Sequence, residues 1–308
     1  VSAARTTLRV AAAQHPVGRP SSVRDWADGL ARWVADAAEA GAELLVFPEY
    51  GGLELASTFG PEVETDLAGQ IRAVSSLVSE VDATHQELAR RHGVYILAAS
   101  LPVVAPELGG LPVNRARLIG PQGDVRVQDK RIMTPWEREI WEISGNPAAR
   151  VFDTALGRIG VAICYDGEFP LIVRAMTAAG ADLILIPSAT ETLAGANRIR
   201  TAALARALEN QVAVITSPTV GAAPWSPALD ANHGRAGIYV PADTGLPPTG
   251  VIVEGELDRP GWIHGTVDFS ALAAVRAAGG VRGRRDWPEQ AGATEADSAA
   301  RVDVVRVA

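Results

Sequence analysis

Residues 158–170 read RIGVAICYDGEFP, an apolar run that stops at a cysteine and breaks into acidic residues, a glycine and a proline. RIGVAIC has the length and β-branching of a buried strand, and YDGEFP is turn chemistry. The thiol of Cys164 is therefore expected where a strand ends and a helix can begin. Working outward, TLRVAAAQ (7–14), AELLVFPE (42–49), VYILAAS (94–100), DLILIPS (182–188) and QVAVITSPTV (211–220) read as further buried strands. Helical spacing fills the gaps. Val23, Trp26, Leu30, Val34 and Ala37 fall three or four apart in 22–40, behind the caps Ser21 and Ser22 and before Gly41. Ile71, Val74, Leu77 or Val78, and Val81 repeat the pattern in 70–92, which ends at Gly93; Ile199, Ala203 and Ala207 carry it in 196–210. Strands alternating with helices predict an α/β fold whose parallel strands are joined by crossover helices, with functional groups at strand carboxyl ends. GAELLVFPE (41–49) also aligns with GADLILIPS (180–188), which would put Glu49 and Ser188 at matching strand ends of two halves.

Composition narrows the classes. The 308 residues are 47% hydrophobic and 21% charged, a globular balance with no low-complexity segment. A formal charge of -8 without a long Lys/Arg run speaks against nucleic acid, whose affinity rests on clustered cations. One cysteine makes no internal disulfide. The first residues lack the apolar core of a signal peptide, and VYILAASLPVVA (94–105) is too short to span a bilayer, so a cytoplasmic protein without a membrane partner is expected. No Cys/His cluster has ligand spacing and no GxGxxG or P-loop occurs, so neither metal nor organic cofactor is expected. Residues 279–308 are polar and charge-dense; they read as a tail, or as an oligomerisation arm using Trp287 and VDVVRV, after a domain spanning 1–278.

A lone buried cysteine is most often a small hydrophobe. Cys164 differs by its place at a strand end, and nucleophilic use would require a base or cation beside it. The five histidines, His15, His85, His92, His233 and His264, are scattered, and His85 and His92 on one helix read as surface residues. A carboxylate is better placed: Glu49 ends the apolar run LLVFPE, where burial would raise its pKa and make it a usable base. Lys130, in VRVQDKRIMTPWERE, reads alone as a surface lysine.

Together the three residues form a pattern. LLVFPEYG around Glu49, QDKRIMTPWERE around Lys130 and GVAICYDGEFP around Cys164 resemble, in that order, the three motifs of the nitrilase, or carbon-nitrogen hydrolase, superfamily. AAAQHP, FPLIVRAMTAAGADLILIPSA and RALENQVAVITS extend the resemblance over roughly residues 8–270. Leu171 and Asp129 depart from the usual pattern without touching the three motif residues.

The resemblance implies an α-β-β-α four-layer sandwich, often paired into an αββα-αββα homodimer. It implies an amidase cleaving a small linear amide through a thioester on Cys164. Glu49 would be the base, and Lys130 with the Tyr165 backbone N–H would hold the oxyanion. A second glutamate is expected at Glu137, with Glu139 the runner-up. Nitrile or N-carbamoyl hydrolysis, acyl transfer, or a non-catalytic binding role are the alternatives. Trp136, Glu191, Asn197 and Trp225 are expected to line the substrate pocket. Arg198 and Arg200 suit either a substrate carboxylate or the outer helix face, and Arg206 and Glu209 suit structural contacts.

Overall fold

The computed structural model describes residues 5–293 and 302–308. Its strands are β1 (Thr7–Pro16), β2 (Leu44–Val46), β3 (Tyr95–Ala105), β4 (Leu111–Ile119), β5 (Val125–Asp129), β6 (Ala149–Thr154), β7 (Gly157–Val161), β8 (Leu183–Ser188) and β9 (Ala213–Ala222). Five more follow: β10 (Ala231–Asn232), β11 (Gly237–Tyr239), β12 (Val251–Glu254), β13 (Gly261–Asp268) and β14 (Val302–Arg306). The helices are α1 (Val23–Glu39), α2 (Pro61–Glu64), α3 (Leu67–Ser76), α4 (Val78–His92), α5 (Pro135–Glu139), α6 (Pro170–Ala178), α7 (Leu193–Asn210), α8 (Phe269–Ala278) and α9 (Gly283–Asp286).

The main strand order is β14-β6-β7-β8-β9-β1-β2-β3-β4-β5. β1, β2 and β3 are parallel neighbours, as are β7, β8 and β9, and antiparallel hairpins extend each trio outward. β1 and β9 pair only near their ends, through His15↔Thr219 and Pro16↔Val220. The order is thus mirrored about that contact, and it puts β2 and β8, the two similar stretches noted in the sequence, at equivalent places.

Strand alternation then makes the layers. Leu8, Val10, Leu44, Val46, Tyr95 and Leu97 share one buried core with Ile159, Val161, Leu183, Leu185 and Val214 of the other half. The intervening Ala11, Leu45, Phe47 and Ile96 pack instead with Trp26, Leu30, Val34, Val74, Val81 and Leu88 of the covering helices. Strands buried on both faces read as unbroken apolar runs, which is why the sequence revealed them. α6 and α7 cover the second half through Ile172, Val173, Met176, Ile199, Ala203 and Ala207. The result is the α-β-β-α sandwich.

Several expected elements shift. Residues 70–92 form two helices rather than one, because Ser76 turns its hydroxyl onto the Ala73 carbonyl at 2.7 Å and Leu77 leaves helical geometry. β3 runs on through Pro102 to Ala105. β7 stops at Val161, so a two-residue extension separates it from Cys164. His85 is not a surface residue: it is buried, and its ring Nδ1 lies 2.7 Å from the Val81 carbonyl oxygen.

The described part of the 279–308 segment packs on its own chain. β14 pairs in parallel with β6, the Arg126 side chain donates to the Arg306 carbonyl at 3.0 Å, and the Trp287 ring lies 4.5 Å from the Arg174 guanidinium carbon. Residues 294–301 of that segment lie outside the described residues.

Candidate active site

Four chain segments converge just past strand ends. Glu49 follows β2, Lys130 follows β5 directly, Cys164 lies beyond β7, and Ala189 follows β8. Together they line the floor of a cavity of about 570 Å³.

Lys130 is fully buried, and its Nζ is 2.8 Å from Glu49 Oε1 and 2.8 and 2.7 Å from the two oxygens of Glu137. Two carboxylates share one ammonium, so their environments decide which stays charged more readily. Glu137 also accepts from the Tyr50 hydroxyl at 2.6 Å and from the Thr134 N–H and hydroxyl, both at 2.9 Å. Thr134 and Glu137 form a reciprocal cap on α5, which fixes the glutamate's rotamer. Burial alone would raise the Glu137 pKa, but Lys130 and these donors more than offset it and hold it below the ordinary value. Glu49 goes the other way. Burial raises its pKa, opposed by Lys130 and reinforced by the nearby Glu137 charge. Lys130 is held well above its ordinary value, because its two carboxylates outweigh its own burial. One glutamate therefore keeps the lysine charged while the other is the better base.

Glu49 is fixed in place by neutral donors. Asn114 Nδ2 donates to its Oε1 at 2.9 Å, and the Ala189 N–H donates to its Oε2 at 2.8 Å. Asn114 is itself held by the Ser100 hydroxyl at 2.6 Å, and Ser100 Oγ accepts the Tyr50 N–H at 2.9 Å. That bond pins Tyr50 in the left-handed region at φ 54°.

Cys164 has the same unusual backbone, φ 48°, in a tight turn. The Asp166 carboxylate fastens this turn to the lysine loop by accepting the N–H groups of Arg131 and Ile132 at 2.9–3.2 Å. Burial lifts Asp166 to about 6 even so. The Cys164 thiol donates to the Ala189 carbonyl over 3.8 Å. Burial and then the Glu49 charge raise its pKa well above the ordinary value, so the resting group is a neutral thiol. A neutral thiol beside a buried carboxylate can attack an electrophile only as its proton moves to that carboxylate.

The other expected residues divide. Trp136, Glu191 and Tyr165 line the cavity, and so does Arg198, whose Nε reaches Glu168 at 3.3 Å. Asn197 and Trp225 are not among the lining residues: Asn197 is exposed, and Trp225 packs against the core beneath the first helices. Gly195 and Arg198 both line it, three apart on one face of α7, and Asn197 falls off that face. Arg200 pairs with Glu254 at 2.6 Å, and Arg206 with Glu209 at 2.7 Å, contacts within the scaffold. Glu139 is exposed and Glu137 is the buried one. Asp129 is buried and bonds Arg115 at 2.6 Å and Asn146 at 2.8 Å, which anchors the lysine loop. Leu171 is exposed on α6. Asn114, Ser100, Tyr50, Asp166 and Ala189 were missed from the sequence. Ser100, a polar residue inside an apolar β-run, was the available signal.

Fold and sequence together place the protein in the nitrilase, or carbon-nitrogen hydrolase, superfamily. The chain belongs to the carbon-nitrogen hydrolase family, whose pattern matches residues 9–254. It is 32% identical over 279 residues to "Probable hydrolase YhcX" of Bacillus subtilis (strain 168), covering 91% of this chain and 53% of that protein, so it spans about half of that relative's length. "Omega-amidase NIT2-A" of Xenopus laevis is 27% identical, covering 82% of this chain and 86% of its own. A mutant of the amidase from Nesterenkonia sp. AN1, solved with acrylamide added at its active site cysteine, matches with a TM-score of 0.66 at 25% identity. That match covers 88% of this chain and 97% of the amidase chain.

Proposed function

We propose that this chain hydrolyses the C–N bond of a small linear amide, with Cys164 as nucleophile, Glu49 as proton carrier and Lys130 as electrostatic stabiliser. The sulfur attacks the carbonyl carbon while its proton passes to Glu49. Lys130 and the Tyr165 backbone N–H bind the oxygen as it becomes negative; one such donor is commonly worth about 10²- to 10³-fold in rate. Glu49 returns the proton to the leaving nitrogen, ammonia or an amine departs, and a thioester remains. Water loses a proton to Glu49, attacks the thioester, and the thiol recovers that proton as the acid leaves. Glu137 keeps Lys130 charged and in place throughout.

The observation that carries this reading is Lys130 Nζ bridging Glu49 and Glu137 at 2.7–2.8 Å on the floor of a cavity that Cys164 also lines. Amide rather than nitrile substrates are favoured by the omega-amidase likeness. The test is ammonia release from small amides, ω-amides, N-carbamoyl compounds and nitriles, run beside Cys164→Ala. Release from an amide that the mutant lacks is expected. No release from any compound, together with slow alkylation of Cys164 by iodoacetamide, would return the cysteine to the core. The same reading includes a homodimer, supported by Leu171 and Leu208 exposed on α6 and α7 and tested by light scattering.

A further inference from the structure

A second cavity, of about 290 Å³, opens beside the segment that follows Glu49. His15, Gly18, Trp26, Leu30, Trp33 and Glu54 are among its lining residues. Glu54 is only 9% exposed, yet no ion pair of the described residues includes it. Its Oε2 accepts the Gly18 N–H at 2.9 Å, and the Trp26 side chain lies beside it and helps the charged form. A Cβ at Gly18 would stand 2.8 Å from Oε2, so a side chain there would push the carboxylate aside. Arg19 lines the same cavity, but its guanidinium is engaged with Glu64 by two 2.7 Å bonds. A buried carboxylate without a countercharge is costly to keep and cheap to complement.

The walls favour one sign of charge. Trp26 and Trp33 offer indoles, and the His15 ring lies 4.8 Å from that of Trp33. His15 is held neutral by burial, which lowers it to about 4, so it supplies no competing charge. Aromatic faces and a carboxylate attract cations and repel anions. A bare divalent ion wants six or more oxygens, and among the described residues no group of three His, Cys, Asp or Glu could hold one. We propose that this cavity binds a small organic cation, a primary ammonium with a short apolar tail, its charge on Glu54 and its tail against Leu30 and the indoles. The site is separate from Cys164 and stands whether or not the proposed hydrolysis is right.

The test is a titration of the Cys164→Ala protein with n-butylammonium and, as the neutral control, n-butanol, followed by calorimetry and tryptophan fluorescence. It is run at about pH 8, where an alkylammonium, like a lysine side chain, is charged. Saturable binding of the ammonium alone is expected, weakened about tenfold or more in Glu54→Gln, since a hydrogen bond to a charged group is at stake. Gly29→Leu is the second variant. Gly29 lines the cavity on α1, and an added Cβ there meets only Arg32 Nη2 at 3.8 Å, so a leucine has room to start and takes up cavity space from α1. It should abolish binding, and it keeps the test readable if Glu54→Gln does not fold. No saturation by n-butylammonium, equal binding of n-butanol, or binding that Gly29→Leu retains would overturn the proposal.

Discussion

Glu49 and Glu54 lie on one continuous stretch, both are buried, and burial raises the pKa of both. Their surroundings differ. Glu49 faces an ammonium, an amide donor and a backbone N–H, all within 2.9 Å, whereas Glu54 has the Gly18 N–H, a neighbouring indole and no cation paired with it. The first cavity balances its charges internally and uses the small imbalance between two carboxylates to make a base. The second leaves a carboxylate unbalanced, which is a liability for stability unless something else completes it.

The comparison breaks first at Lys130. Lys130→Met strands two buried carboxylates, so it is expected to abolish ammonia release and to cost about 3–5 kcal/mol of stability by urea unfolding. A loss under about 1 kcal/mol would mean that the cluster is not held together by its charges. Glu54 gives the next largest effect. Its pKa rises from 4.5 to about 7 on folding, so the native state binds this proton more tightly than the unfolded chain. Stability from this group is therefore intact below pH 4.5 and lost as pH climbs to about 7, by about 3 kcal/mol. Glu54→Gln should flatten that decline; an unchanged slope would show that Glu54 is solvated.

Smaller effects sharpen the picture of Glu49. As a base it must be ionised, and its pKa is raised, so the acid limb of kcat/KM should lie above the ordinary glutamate range. Asn114→Leu removes a donor to the charged form and should move that limb to still higher pH. A fixed limb with lower kcat would assign Asn114 a packing role instead. Glu139→Gln, on the exposed side of α5, should change activity by less than about twofold, as surface substitutions do.

What the sequence made legible follows from where polarity interrupts a pattern. Glu49 and Cys164 stand out because each ends an apolar run, and Glu137 because the family resemblance implies a second glutamate a short way after Lys130. Asn114 and Ser100 sit inside strands, where alternation cannot say that a polar side chain reaches a carboxylate two strands away. Ala189 contributes only its backbone, which no residue type announces. Asn197 was misplaced because helical periodicity gives a helix's faces without saying which one overlooks a cavity. The alignment of 41–49 with 180–188 hinted at a division of labour. One strand end supplies a side chain, Glu49, and its counterpart supplies the peptide group that positions it.

The strand β14 has a consequence for how the molecule forms. Its pairing joins residues 302–306 to 149–153, while the Ala308 N–H donates to the Asp124 carboxylate at 3.0 Å, just before β5, the strand at the opposite end of the strand order. This seam joins stretches more than 150 residues apart in sequence, against about fifty or fewer between neighbours within each parallel trio, so its loop-closure entropy favours completion after the trios have folded. Pulsed hydrogen exchange should find β8 amides protected before those of β6. Until the seam closes, β6 presents a bare strand edge to other chains, and the species most prone to aggregate is a nearly finished one.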